Sequence, residues 1–222
     1  MGSNLIYHTR FLEFYGLPGS GKSTISHMLA DELKKHGKSV HEPTYDLDHR
    51  YSSSIRMSIK FIKLIRYAII CPKKCKKLFT LIRSNGYSGF NALSQAANIA
   101  PKLWVYDHAR VDFVIFDEGL TQSAISLGFN NKKSSEDENS LYELCKRRQI
   151  VKFYIKVSVE TTLLRLSERD KHDSRIEKIK EKDERILALS TFEALCNDIT
   201  SGYVIEEDNI QSALSCIINK VI

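Results

Sequence analysis

Residues 10–23, RFLEFYGLPGSGKS, constrain the fold more than any other stretch of this 222-residue chain. RFLEFY reads as a short aromatic and aliphatic strand, and Gly16 to Gly21 as a turn. STISHMLADELKKH (residues 23–36) follows as a helix, with Ile25, Met28, Leu29 and Leu33 on one face and Gly37 at its end. Gly16-Leu17-Pro18-Gly19-Ser20-Gly21-Lys22-Ser23 fits the pattern G-x-x-x-x-G-K-[ST]. Its glycines let the backbone curl so that N–H groups point inward. The helix that begins there adds roughly half a positive charge at its N-terminus. Strand, glycine turn and amphipathic helix in this order make a cradle for nucleotide phosphates. Gly16, Pro18, Gly19, Ser20, Gly21 and Thr24 are its expected cofactor-binding lining. Lys22 is expected to reach the β and γ phosphates, and Ser23 to ligate Mg²⁺.

The rest of the chain alternates strand and helix signals. Lys38 to His41 read as a second strand ending at Glu42-Pro43, and DFVIFD (112–117) as a buried third strand. VKFYIKV (151–157) and YVI (203–205) read as the fourth and fifth. A mostly helical stretch fills 53–110, with breaks expected near Pro72, Asn85-Gly86 and Pro101. NNKKSSEDENS (130–140) reads as a polar surface loop. Helices are expected over Glu160–Glu168 and Asn209–Val221, and a charged stretch runs from Arg169 to Arg185. This alternation implies an α/β fold with a mostly parallel sheet covered on both faces. Ligands in such sheets bind at the carboxyl ends of strands. Gly16, Glu42, Asp117 and Val157 all fall at or just beyond such ends. Asp117 follows four apolar residues, as suits a strand acid that helps Ser23 hold Mg²⁺.

Composition narrows the class. No apolar run approaches the roughly 18 residues that span a bilayer. The first residues lack the apolar core and cleavage site of a signal peptide. Five cysteines, an odd number without a C-x-x-C pair, suit a reducing compartment, so a cytoplasmic protein is expected. The net charge of +6 is local: residues 51–83 hold nine Lys or Arg and no acid, which leaves the remainder net acidic. That stretch carries no known reading motif, so nucleic acid is not expected as a partner.

The motifs taken together resemble the thymidylate kinase and deoxynucleoside kinase branch of the P-loop kinases. The resemblance covers nearly the whole chain as an order of motifs, although only the cradle is highly specific. It rests on Phe14 through Thr24, on Glu42-Pro43 after the second strand, on Asp117-Glu118-Gly119 after the third, on Gly128, and on Arg175-Ile176-Glu177. Ile205-Glu206-Glu207 before the last helix resembles the segment bordering the adenine.

The resemblance implies a single kinase domain over 1–222 with a five-stranded parallel sheet in order 2-3-1-4-5. It implies an acceptor-side helical region at 53–110 and a lid at 165–185. Glu42 would then be the base that takes the acceptor's proton. Arg169 and Arg175 would close on the transferring phosphoryl, and Arg165 would touch the nucleotide. ATP and Mg²⁺ would be the cofactors, and a homodimer is a common state of such relatives.

Two departures shape the acceptor. Where thymidylate kinases have Asp-Arg-Tyr, this chain has Glu118 in place of the arginine. Where they have Asp-Arg-x-Gln-His, it reads QAANI from Gln95. Both arginines that would meet a monophosphate are missing, and Glu118 repels one. A hydroxyl of a nucleoside, sugar or related metabolite is therefore the expected acceptor, with Glu42, Arg56 and Glu118 binding it. A thymidylate-like monophosphate kinase with relocated basic residues is the alternative. A nucleotide-binding ATPase or switch acting through a protein partner is another, because Asp117-Glu118 also resembles the acid pair of ATPases.

Overall fold

The segments read as strands join into one sheet in the computed structural model. The structure describes residues 9–131, 133–146, 149–168, 176, 179–206 and 209–221. The strands are β1 (Arg10–Tyr15), β2 (Val40–His41), β3 (Phe113–Phe116), β4 (Gln149–Ile155) and β5 (Tyr203–Ile205). All pair in parallel, in the order β2-β3-β1-β4-β5. β1 is central: Arg10 is in register with Phe113 on one side and with Gln149 on the other. The cradle therefore leaves the middle of the sheet, with Asp117 emerging one strand away. This is a five-stranded parallel α/β fold of the P-loop kinase type.

The helices are α1 (Lys22–Lys35), α2 (Pro43–Arg50), α3 (Ser53–Ile70), α4 (Pro72–Ser84), α5 (Gly89–His108) and α6 (Leu120–Gly128), followed by α7 (Ser134–Tyr142), α8 (Val159–Ser167), α9 (Lys182–Asp198) and α10 (Ile210–Val221). Side chains alternate across β1 as the pleat requires. Phe11 joins Val114 and Phe116 against α3, α4, α5 and α6, while Leu12 and Phe14 join Ile115 and Phe153 against α1 and α10. A third cluster packs Tyr15, Tyr154 and Ile176 against α9. Among the described residues, no helix is long and apolar enough to cross a membrane.

Two expectations need correction. The 130–140 segment is not wholly a loop: α7 begins at Ser134, and its Ser134, Asp137 and Glu138 are buried and bonded rather than solvated. Asn85 Nδ2 donates to Asp137 (2.8 Å), Ser134 Oγ to the Leu195 carbonyl (2.8 Å) and Thr121 Oγ1 to Glu138 (2.7 Å). Pro101 does not break α5. Proline in a helix interior costs about 3 kcal/mol, and the helix offsets this by burying Ala96, Ala97, Ile99, Ala100, Leu103 and Tyr106. The end of the charged stretch is helical: Lys182 to Arg185 open α9, and Arg185 Nε donates to the Ile179 carbonyl (3.1 Å).

Candidate active site

The cradle closes as its sequence requires. Gly16 has φ +144°, and a Cβ there would lie 2.5 Å from the Ile155 carbonyl oxygen, so only glycine fits beside β4. Gly21 (φ +94°) turns the chain into α1. Lys22 is 6% exposed, and its Nζ donates to the carbonyls of Leu17 (2.8 Å) and Gly16 (3.1 Å). The ammonium therefore lies across the mouth of the loop. From α8, Arg165 reaches the cradle and donates to the Gly19 carbonyl (3.3 Å). Beside it, Ser20, Gly21, Ile25, Ile155, Val157, Ile205 and Ala213 line a small recess between the cradle and α10.

Ser23 and Asp117 meet across the sheet. Ser23 Oγ donates to Asp117 Oδ2 at 2.7 Å, while Asp117 Oδ1 is buried with no hydrogen-bond partner among the described residues. A hydroxyl and a carboxylate with an unsatisfied buried oxygen are hard oxygen donors, which fits Mg²⁺. When bound there, the ion would screen phosphate charge beside the cradle.

Glu42 stands at the N-terminal boundary of α2 and is 6% exposed. His27 Nδ1 lies 2.9 Å from its Oε1, and Lys34 Nζ donates to its Oε2 at 2.9 Å. The hydrogen bond to Glu42 holds the Lys34 ammonium above the usual lysine range. His27 in turn stacks on Tyr45, with ring centroids 3.9 Å apart. Glu118 is exposed at the turn after β3. Arg56 is partly buried in the first turn of α3, its backbone N–H bonded to the Ser52 carbonyl (2.9 Å). Arg169 and Arg175 lie outside the described residues. The basic stretch is not one free surface, because Lys74 pairs with Asp107 (2.5 Å) and Arg66 lies over Trp104 (5.3 Å).

Sequence reasoning missed two supports of the site. Gln122 on α6 clamps the first cradle glycine from both sides: the Gly16 N–H donates to Oε1 (3.1 Å), and Nε2 donates to the Gly16 carbonyl (3.2 Å). Glu13, fully buried on β1, accepts from the hydroxyls of Tyr106 and Tyr142 and from the Thr121 N–H at the start of α6 (2.8 Å). An anion at a helix N-terminus is favourable, and this one fixes the direction of the 117–119 turn. A Cβ on Gly119 would lie 2.2 Å from the Glu13 carboxylate, so the third residue of the turn has room only for hydrogen. An acid between the apolar residues Phe11, Leu12 and Phe14 was the one available signal.

A strand-one cradle, a strand-three acid and the 2-3-1-4-5 sheet define a P-loop kinase fold. Solved structures agree. A structure of deoxyadenosine kinase from M. mycoides with dCMP and dCDP bound is similar, with a TM-score of 0.53 and 18% identity, covering 95% of this chain and 97% of that one. The same kinase with bound dCTP matches with a TM-score of 0.51 and 18% identity, over 95% and 98% of the two chains. No family model matches the sequence, and no curated protein matches it.

Proposed function

We propose that this protein transfers the γ-phosphoryl group of ATP, with Mg²⁺, to a hydroxyl of a nucleoside or a related small molecule. The observation that carries the reading is the Ser23–Asp117 contact beside a complete cradle, at the mouth of a sheet ordered 2-3-1-4-5. The similar deoxyadenosine kinase structures support a nucleoside acceptor. Lys22 and the cradle N–H groups hold the β and γ phosphates, and Arg165 braces the cradle from α8. Ser23 and Asp117 are the residues that would hold Mg²⁺.

In the transfer, the acceptor oxygen bonds to the γ phosphorus, the bond from that phosphorus to the β–γ bridging oxygen breaks, and ADP leaves. The hydroxyl proton passes to Glu42. His27 and Lys34 each contact one oxygen of that carboxylate, and each oxygen has a second lone pair with which to accept the proton. Arg169 and Arg175 belong to this reading as the cations that meet the transferring phosphoryl. The missing arginines and the exposed Glu118 favour a neutral acceptor over a monophosphate.

The test is ADP release from Mg·ATP, alone and with pooled nucleosides, nucleoside monophosphates or sugars, together with isolation of the phosphorylated product. Glu42→Gln should abolish product while ATP still binds. Equal ADP release without any acceptor would make the protein an ATPase. A response to monophosphates alone would make it a nucleotide kinase.

A further inference from the structure

Position 118 places a negative charge on the turn after β3. The structure brings a lysine to the same turn from a different element. Lys102, on α5, donates from Nζ to the Gly119 carbonyl (3.2 Å) and to Ser123 Oγ (2.9 Å). Both partners are neutral, and Lys102 forms no ion pair among the described residues. An ammonium carries three N–H donors, so one remains beyond these two contacts.

Charges reach Lys102 from the β3–α6 turn, β1 and α3. Glu118 and Asp117 on the β3–α6 turn and Glu13 on β1 favour its protonated form, while Lys60 on α3 opposes it. Burial is the largest influence and pulls the ammonium below the usual lysine range. A desolvated lysine without a carboxylate partner is costly. The three carboxylates favour its charge and the bonds to Gly119 and Ser123 fix its position, which leaves its third N–H unused among the described residues.

We propose that Lys102 is the acceptor-side cation of this enzyme: it donates a hydrogen bond to the oxygen of an uncharged acceptor hydroxyl, and Glu118 beside it excludes a phosphate-bearing acceptor. The substrate class is therefore the nucleoside and not its monophosphate. A phosphate dianion would add negative charge against Asp117 and Glu118. A neutral hydroxyl needs the single donor that Lys102 has left. The inference rests on the kinase reading for the reaction but concerns binding, so the two can fail separately.

The experiment is calorimetric binding of the four deoxynucleosides and of their monophosphates to the wild type, Lys102→Met and Lys102→Arg. Mg·ATP affinity and melting temperature are recorded for each. The expected result is a wild type that binds a nucleoside more tightly than its monophosphate, and a Lys102→Met variant weakened about 10- to 100-fold for the nucleoside. Mg·ATP affinity and melting temperature should stay near wild type, and Lys102→Arg should restore most of the binding. Unchanged nucleoside affinity in Lys102→Met would overturn the proposal. So would tighter monophosphate binding, or no nucleoside binding by the wild type. A joint loss of ATP affinity, stability and nucleoside binding that arginine does not rescue would make Lys102 structural and also overturn it. Lys102-dependent nucleoside binding without phosphoryl transfer would support the Lys102 site and overturn the kinase reading alone.

Discussion

Gln122→Met tests whether the cradle is held from outside itself. Methionine keeps nearly the length and volume of glutamine but offers neither the donor nor the acceptor that clamps Gly16. The Gly16 N–H would lose its bond to Oε1 in a buried position, at a cost of about 1–3 kcal/mol. The Gly16 carbonyl would lose the Nε2 bond but keep that from Lys22 Nζ (3.1 Å), so its loss is nearer 0.5–1.5 kcal/mol. Burying a thioether instead of an amide returns about 1 kcal/mol. The net destabilisation is about 1–3 kcal/mol, readable as a lower midpoint in urea with an unchanged slope. Gly16 sits against the Ile155 carbonyl with no room for adjustment, so a looser cradle should also weaken Mg·ATP binding by about tenfold, or 1.4 kcal/mol. A Gln122→Met protein within about 0.5 kcal/mol of wild type, with full ATP affinity, would refute the claim that the clamp shapes the cradle.

Three further outcomes are expected. Asp117→Asn should remove the extra thermal stabilisation that Mg²⁺ adds to ATP while sparing most of the stabilisation by ATP alone, as a thermal shift with and without the ion will show. Asp112 accepts bonds from the Ser39 N–H and Oγ–H (both 2.8 Å), which hold its carboxyl below the usual carboxylate range. Its contribution is therefore present above the ordinary carboxylate pKa and lost as pH falls through its lower folded value. Asp112→Ala should melt earlier than wild type at pH 7, with the gap closing toward strong acid. Burial pushes the Cys145 and Cys196 thiols up to about 12, so at pH 8 iodoacetamide should label the folded protein at neither. Rapid alkylation of either would contradict the burial of Cys196 on α9 or of Cys145 just beyond α7.

What could be read from the sequence was local. The cradle is a contiguous run whose glycines, lysine and serine act within one turn, and the strands around it are short apolar runs bounded by polar residues. Asp117 was legible because four apolar residues lead straight into it. α7 was not, because Ser134, Asp137 and Glu138 are buried by bonds to Leu195, Asn85 and Thr121, partners distant in sequence. Pro101 misled for the same reason: the core on α5 outweighs a local breaker. Glu42 was found from its place after β2, but its anchors on α1, His27 and Lys34, belong to a helix read only for its apolar face. Lys102 lies fifteen residues before Asp117 in sequence and reaches the same turn only through the packing of α5 on α6.

The central position of β1 also sets a timetable for synthesis. The cradle belongs to the first described strand, yet one of its walls is the Ile155 carbonyl, and Arg10 pairs with Phe113 and Gln149. A ribosome must release β4 before the glycine turn has its second wall. Until then the nascent chain carries the complete nucleotide motif without the site, and cannot draw on the cell's nucleotide pool to guide its own folding. Any stabilisation by ligand comes late, to a sheet whose centre has already formed.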